Sequence, residues 1–268
     1  SKEFSDTEIS AQQISGKLQM LRDLENSMEG FGYSVKHIMK AVKQGRISGV
    51  CGSVAQLITV KSEYSVAVET ALGGALQNIV VENEDCAKRG IRLLKENKAG
   101  RATFLPITTV KGTRLDSRNI EHENGYVAMG SDLVQCDSRY SGIISYLLGR
   151  ICIAEDIDSA TNIARKNGFK FRIVTLDGQV INSGGSFTGG SVSKNTGILT
   201  RKNEIEESEK KLSVLNAKKE ELSAKRERLV QEVDKFSADI ESAKENLNIL
   251  GNTCIKLEME IKRVREIT

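Results

Sequence analysis

Ser183-Gly184-Gly185-Ser186-Phe187-Thr188-Gly189-Gly190-Ser191 packs four glycines into seven residues around two strand-forming side chains. Glycine lets the backbone take positive φ, or approach another backbone with no Cβ between, at an entropic cost that a chain seldom repeats so densely without a constraint. Three readings compete: a phosphate cradle, a flexible Gly/Ser linker, and a strand edge that meets another chain. The cradle is weak, because G-x-x-x-x-G-K-[ST] occurs nowhere in the chain. The linker fits the composition, but Phe187 and Thr188 are strand formers and argue for order. An edge strand meeting a second chain stands against a purely intrachain turn.

Glycine and proline divide the chain around this run. Of 23 glycines, 20 lie between Phe31 and Thr200, as does the single proline, Pro106, whereas Arg201 to Thr268 holds only Gly251. The middle therefore reads as a folded domain and the flanks as helices. From Ile205, alternate steps of three and four residues meet Ile205, Ser208, Leu212, Leu215, Lys219, Leu222, Arg226, Leu229, Val233, Phe236, Ile240, Ala243, Leu247, Leu250, Cys254, Leu257, Ile261, Val264 and Thr268. Fifteen of these nineteen are apolar, over nine heptads, which is a sustained coiled-coil seam. At 1.5 Å per residue this arm would reach on the order of 100 Å. Phe4, Ala11, Ile14, Leu18, Leu21 and Met28 give a shorter first arm with a helix stop near Gly30-Phe31-Gly32. Arms that enter and leave one domain must pair antiparallel, so the distal half of the long arm is expected to lack a partner within the chain.

Within the middle domain the pattern predicts helices near Ser34–Lys43, Ser62–Leu72, Glu84–Asn97, Ser138–Leu148 and Asp156–Asn167. It predicts strands at Gln77–Val81, Arg101–Leu105, Ile151–Ile153, Arg172–Thr175 and Val180–Ile181, with a loop over Lys111–Asn124 and a turn at Asp177-Gly178. The two sets of elements are similar. Tyr64-Ser65 stands eight residues before Leu72-Gly73, as Tyr140-Ser141 stands before Leu148-Gly149, and Glu82 and Ala87 answer Glu155 and Ala160. This is a duplicated helix–strand–helix–strand unit, an α/β domain of two related halves. Each half carries a short sheet whose edge needs cover, and the edge of the other half in a twofold-related copy can supply it.

Composition bounds the function. A net charge of +3 is too small for a general attraction to polyanions, so nucleic-acid contact must come from local patches. Lys36, Lys40 and Lys43 recur on one face of the first predicted domain helix with Arg46 just beyond, and Arg89, Arg92 and Lys95 recur on a later one. Such stripes are commonly only solvated faces, and the scarcity of aromatics argues against base stacking as the main mode. The cysteines Cys51, Cys86, Cys136, Cys152 and Cys254 are odd in number, show no C-x-x-C, and read as reduced. His37 and His122 belong to no recognisable nucleophile motif, and Glu82-Asn83-Glu84-Asp85 reads as a helix start and not a metal site, so no catalytic or metal-binding residues are assigned. No apolar run approaches the roughly 18 residues of a membrane span, and a start at Ser-Lys-Glu-Phe is neither a signal peptide nor an initiator Met. The expectation is a cytoplasmic piece of a longer protein, with no membrane contact.

Several strings together resemble the hinge domain of the structural maintenance of chromosomes (SMC) proteins. They are Gly49-Val50-Cys51-Gly52-Ser53-Val54-Ala55-Gln56-Leu57-Ile58, Glu69-Thr70-Ala71-Leu72-Gly73-Gly74-Ala75-Leu76-Gln77-Asn78-Ile79-Val80-Val81 and Gly100-Arg101-Ala102-Thr103-Phe104-Leu105-Pro106. Tyr146-Leu147-Leu148-Gly149, Val174-Thr175-Leu176-Asp177-Gly178 and the glycine run complete the set. The resemblance is to the bacterial, homodimeric branch. It implies an α/β (α+β) hinge over residues 31–200, in halves of about 31–112 and 113–200 with small mixed sheets, flanked by antiparallel coiled-coil arms over 1–30 and 201–268. It implies a ring-like homodimer whose interface includes Gly184, Gly185, Gly189 and Gly190, with Phe187 between them. It also implies sequence-independent DNA binding near the hinge–coil junction and a nucleoid location. ATP, Mg²⁺ and kleisin-type subunits would belong to head domains outside this chain, so the hinge itself is expected to have no cofactor and no enzymatic activity. Two alternatives stand beside this: a hinge that pairs with a different SMC chain, and a nucleotide-binding α/β domain on a coiled-coil stalk.

Overall fold

A computed structural model describes residues 2–191 and 197–267. In chain order its elements are α1 (Lys2–Asn26), α2 (Tyr33–Lys43), β1 (Val50–Ser53), α3 (Val54–Leu57), β2 (Thr59–Val60), α4 (Ser65–Leu72), β3 (Ile79–Val81), α5 (Glu84–Glu96) and β4 (Phe104–Pro106). There follow β5 (Tyr126–Met129), β6 (Val134–Gln135), α6 (Ser141–Leu148), β7 (Ile151–Ala154), α7 (Ile157–Lys166), β8 (Arg172–Thr175), β9 (Val180–Ile181), β10 (Phe187–Thr188) and α8 (Ile198–Ile267). Two compact units result, one of residues 18–208 and one of residues 1–17 with 209–268.

The larger unit is built on two sheets that repeat one plan. In the first, β1 lies antiparallel to β3, which is parallel to β4; in the second, β5 lies antiparallel to β7, which is parallel to β8. Each parallel pair is joined by its crossover helix, α5 or α7, as parallel strands require. Each crossover helix begins on a side-chain cap at the same relative place: Asn83 accepts from the Cys86 N–H at 3.1 Å, and Asp156 from the Ser159 N–H at 2.7 Å. The second sheet then adds β9 and β10, giving the order β10-β9-β8-β7-β5 against β1-β3-β4 in the first.

Alternation along the strands sets the layers. Ile79 and Val81 face α2 and α5, while Cys152, Ala154, Ile173 and Ile181 face α7. Val80, Ile153, Val174 and Val180 point the other way into a central cluster with α4 and α6. Strands buried on both faces read as continuous apolar runs, which is why β7 and β8 are visible in the sequence. A two-stranded ladder of β2 with β6 ties the halves together. Burial pushes the Cys152 thiol up to about 12, so this cysteine is inert filler between β7 and α7.

The structure narrows two predicted strands. Gln77 belongs to a 3₁₀ turn over Gly73–Gln77 and not to β3; its side chain accepts from the Gly32 N–H at 2.7 Å and donates to the Gly30 carbonyl at 3.2 Å. Pairing near Pro106 begins only at Phe104, and Pro106 is the last residue of β4 and does not stop it. Elements β1, α3, β2, β5 and β6 are additions to the predicted set.

At the root of the arms, Arg201 of α8 donates to the carbonyls of Glu29 (2.9 Å) and Leu24 (3.3 Å), and Lys202 donates to that of Ile58 at 2.8 Å. In the smaller unit Lys218 meets Glu3 and Lys219 meets Glu8, and Lys219 also stands over the Phe4 ring. Ile205 and Ser208 of the seam are buried, whereas Leu229, Val233, Phe236, Ile240, Leu247, Leu250, Leu257 and Ile261 are exposed. The last seam position, Thr268, lies outside the described residues.

Candidate functional site: a free sheet edge beside basic helices

The glycine run forms the outer hairpin of the second sheet. Phe187 and Thr188 pair with Ile181 and Val180, and β10 is the last strand of that sheet. Two of the glycines are explained by the turn itself. Gly184 and Gly185 have φ of 90° and 91°, in the region where a Cβ is strained. The turn is closed by the Gly185 N–H on the Asn182 carbonyl at 3.0 Å and the Asn182 N–H on the Ser186 carbonyl at 2.8 Å. The Gly184 N–H donates to the Phe169 carbonyl at 2.9 Å, which pins the turn to the segment between α7 and β8.

Beyond β10 the ladder is extended by a side chain. Gln179 accepts from the Gly190 N–H at 2.8 Å and donates to the Gly190 carbonyl at 3.1 Å, imitating one more strand residue. A Cβ on Gly189 would fall 2.2 Å from the Gln179 amide oxygen, and Gly190 has φ of 144°. All four glycines thus have an intrachain reason to be there, and the other side of β10 pairs with no strand among the described residues. Phe187 is 54% exposed on this edge, a large apolar side chain on the outermost strand among the described residues.

A second edge matches it. Strand β4 holds the place in the first sheet that β8 holds in the second, but where β8 is followed by β9 and β10, β4 has no outer neighbour among the described residues. Pro106 at its end is tolerated there because an edge strand can forgo an N–H.

The basic stripes fall on α2 and α5, which pack against one another over the first sheet. Lys40, Lys43, Arg46, Arg92 and Lys95 are exposed and Lys36 is half-buried. Arg89 is committed elsewhere, to the Ser48 carbonyl at 3.3 Å and the Cys86 sulfur at 3.0 Å, so it ties α5 to the loop before β1. Sequence reasoning missed Gln179 and Asn182, whose amides hold the hairpin. Their one visible signal is their place at either end of Val180-Ile181. No group of three or more His, Cys, Asp or Glu able to hold a metal occurs among the described residues, and no described helix is long and apolar enough to cross a membrane.

Residues 47–164 match the family model for the SMC proteins flexible hinge domain. The chain also superposes on the SMC hinge domain of Geobacillus stearothermophilus, solved as an asymmetric dimer, with a TM-score of 0.74 and 34% identity, covering 85% of this chain and 94% of that one. This chain belongs to the SMC hinge family. The chromosome partition protein Smc of Halothermothrix orenii is 40% identical over 79% of this hinge chain, and that of Bacillus subtilis 38% over 77%. The chain spans 18% of the length of each of these two relatives. The duplicated α/β body and the long exit helix are therefore the hinge and arm pattern of that family.

Proposed function

We propose that this chain is the homodimerisation hinge of a bacterial SMC ATPase acting in chromosome condensation and segregation, which joins two coiled-coil arms and contributes to holding DNA. The observation that carries the reading is the pair of unfilled sheet edges, β10 with exposed Phe187 in one half and β4 in the other. In a twofold dimer each copy's β10 meets the other copy's β4, so one operation covers four edges and leaves an opening between two contacts. The Geobacillus stearothermophilus hinge, solved as an asymmetric dimer, supports dimerisation as such. DNA contact is assigned to Lys36, Lys40, Lys43, Arg46, Arg92 and Lys95, sequence-independent because it rests on cations and not on base edges. ATP, Mg²⁺ and kleisin-type partners belong to heads beyond this chain, and the full protein is placed in the cytoplasm at the nucleoid.

Replacing all four glycines by alanine is a poor test, since Gly184, Gly185 and Gly190 would be strained even in a monomer. Phe187→Asp changes only the exposed edge. By sedimentation equilibrium on the whole chain it should weaken the dimer at least ~30-fold, as loss of a central aromatic anchor does, with the melting temperature within a few degrees of the parent. A parent that sediments as a monomer, or a variant that dimerises as well as the parent, would refute the reading. For DNA, Lys36→Glu with Lys40→Glu should lower duplex affinity equally for unrelated sequences and make the plot of log affinity against log salt shallower by about 2. Unchanged affinity would remove α2 from the DNA surface.

A further inference from the structure

A helix leaves the N–H groups of its first turn without carbonyl partners. In α8, whose first internal bond runs from the Arg201 N–H to the Gly197 carbonyl, these are the N–H groups near Ile198, Leu199 and Thr200. Two of them are taken by Glu69, from inside α4. One carboxylate oxygen accepts from the Ile198 N–H at 2.6 Å, and the other accepts from the Thr200 N–H and hydroxyl, each at 3.4 Å. A Cβ on Gly197 would stand 2.1 to 2.6 Å from the carboxyl atoms, so glycine at this position is what admits the carboxylate to the backbone. A negative charge at the positive end of a helix dipole adds to the bond.

Ordinary caps come from the residue next to the helix and only mark where it starts. This one comes from 129 positions away, so it joins two parts of the molecule. The neighbouring residues of α4 are held by the second sheet. Arg172, the first residue of β8, donates to the carbonyls of Ala71 at 3.0 Å and Thr70 at 3.4 Å. Its Nε is buried without a partner, and no carboxylate pairs with it among the described residues. A half-buried guanidinium spent on two backbone carbonyls does little for stability by charge pairing; what it does is fix the end of α4 against the sheet.

We propose that α4 is a strut between the second sheet and the outgoing arm, with Glu69 as the positioning residue that sets the root of α8 and Arg172 as the grip that anchors the strut. Arg172, Thr70, Ala71, Glu69, Ile198 and Thr200 form one continuous line from β8 to the arm. Since β8 lies two strands from the β10 edge, a pull on the arm root is delivered to the sheet that carries that edge. The strut itself does not depend on the dimer and can be tested whether or not that reading holds.

The test is hydrogen exchange on the full chain, read at the amides of Ile198 and Thr200 and, for comparison, across β8 and β9. Glu69→Ala should accelerate exchange at Ile198 and Thr200 at least tenfold and leave β8 and β9 at parental rates. Glu69→Gln, whose amide oxygen still accepts one N–H, should fall between the two, and it carries the test alone if the alanine variant does not fold. Arg172→Met, which touches no arm residue, should accelerate the same two amides two- to fivefold. Parental rates at Ile198 and Thr200 in the Glu69 variants would overturn the proposal. So would uniform acceleration across β8 and β9 in Glu69→Gln, which would make Glu69 a general stability residue, and so would an Arg172 variant with no effect at the arm root.

Discussion

The two halves of the hinge share a parallel strand pair, a capped crossover helix and an antiparallel first strand, yet one ends in a three-stranded sheet and the other in a five-stranded one. Their interiors are matched and their borders are not. Helices α4 and α6 have the same length, each follows a short 3₁₀ turn, and both pack into the central cluster. The additional hairpin exists in one half only and carries the exposed Phe187. The two halves thus agree where the interior of one chain must be packed, and differ at the outer edges, where packing within the chain makes no demand.

If interior positions are the conserved part of the plan, truncating one should be most costly. Ile153 of β7 is fully buried in the central cluster, and Ile153→Ala should cost about 3–4 kcal/mol in urea unfolding; a cost below about 1 kcal/mol would mean that the cluster can collapse around the gap. A smaller effect separates the crossover helices. Gly90 of α5 lies against the Phe104 ring, and a Cβ there would stand 2.5 Å from a ring carbon. Gly90→Ala should therefore displace the β4 edge and cost about 1–3 kcal/mol, visible as faster amide exchange in β4 than in β8.

The caps sharpen the comparison further, because only one of them titrates. Asn83→Ala should cost about 1 kcal/mol at any pH. The Asp156 carboxyl is held below the usual carboxylate range, chiefly by the Ser159 N–H. A depressed folded value means that its contribution is present above the unfolded pKa of about 4 and is lost as pH falls through the folded one. Asp156→Asn should accordingly flatten the fall in melting temperature between pH 6 and pH 3; parallel profiles for parent and variant would show that the cap adds nothing. Smallest of all should be the exposed Lys88–Asp85 pair on α5, where Lys88→Ala is expected to change stability by less than about 0.5 kcal/mol.

The sequence showed the repeated interior more clearly than the borders. Long amphipathic helices such as α5 and α7, and strands buried on both faces such as β8, follow from periodicity and apolar runs alone. The strands β1, β2, β5 and β6 were hidden because they are two to four residues long and because their pairing is set by distant partners: Thr59 meets Gln135 and Val60 meets Val134. At the candidate edge, Phe187 and Thr188 signalled a strand, but the glycines around them could not reveal how much of their purpose is local. Positive φ at Gly184 and the amide clamp of Gln179 are properties of a folded hairpin. Glu69 was invisible as a cap for the same reason, since nothing within α4 announces a contact with residue 198.

The β2–β6 ladder has a consequence for synthesis. During translation the first half leaves the ribosome with Val54, Val60, Leu72 and Val80 ready to pack, but their partners Ile143, Leu148, Ile153 and Val174 belong to chain not yet made. At 5–20 residues per second, the ~75 residues that separate the paired strands take roughly 4–15 s to appear. For that interval the face of the first sheet toward α2 and α5 can already pack, whereas the face that carries Val80 is without its partners, so a stall in this window is expected to expose more apolar surface than one after β8 has emerged.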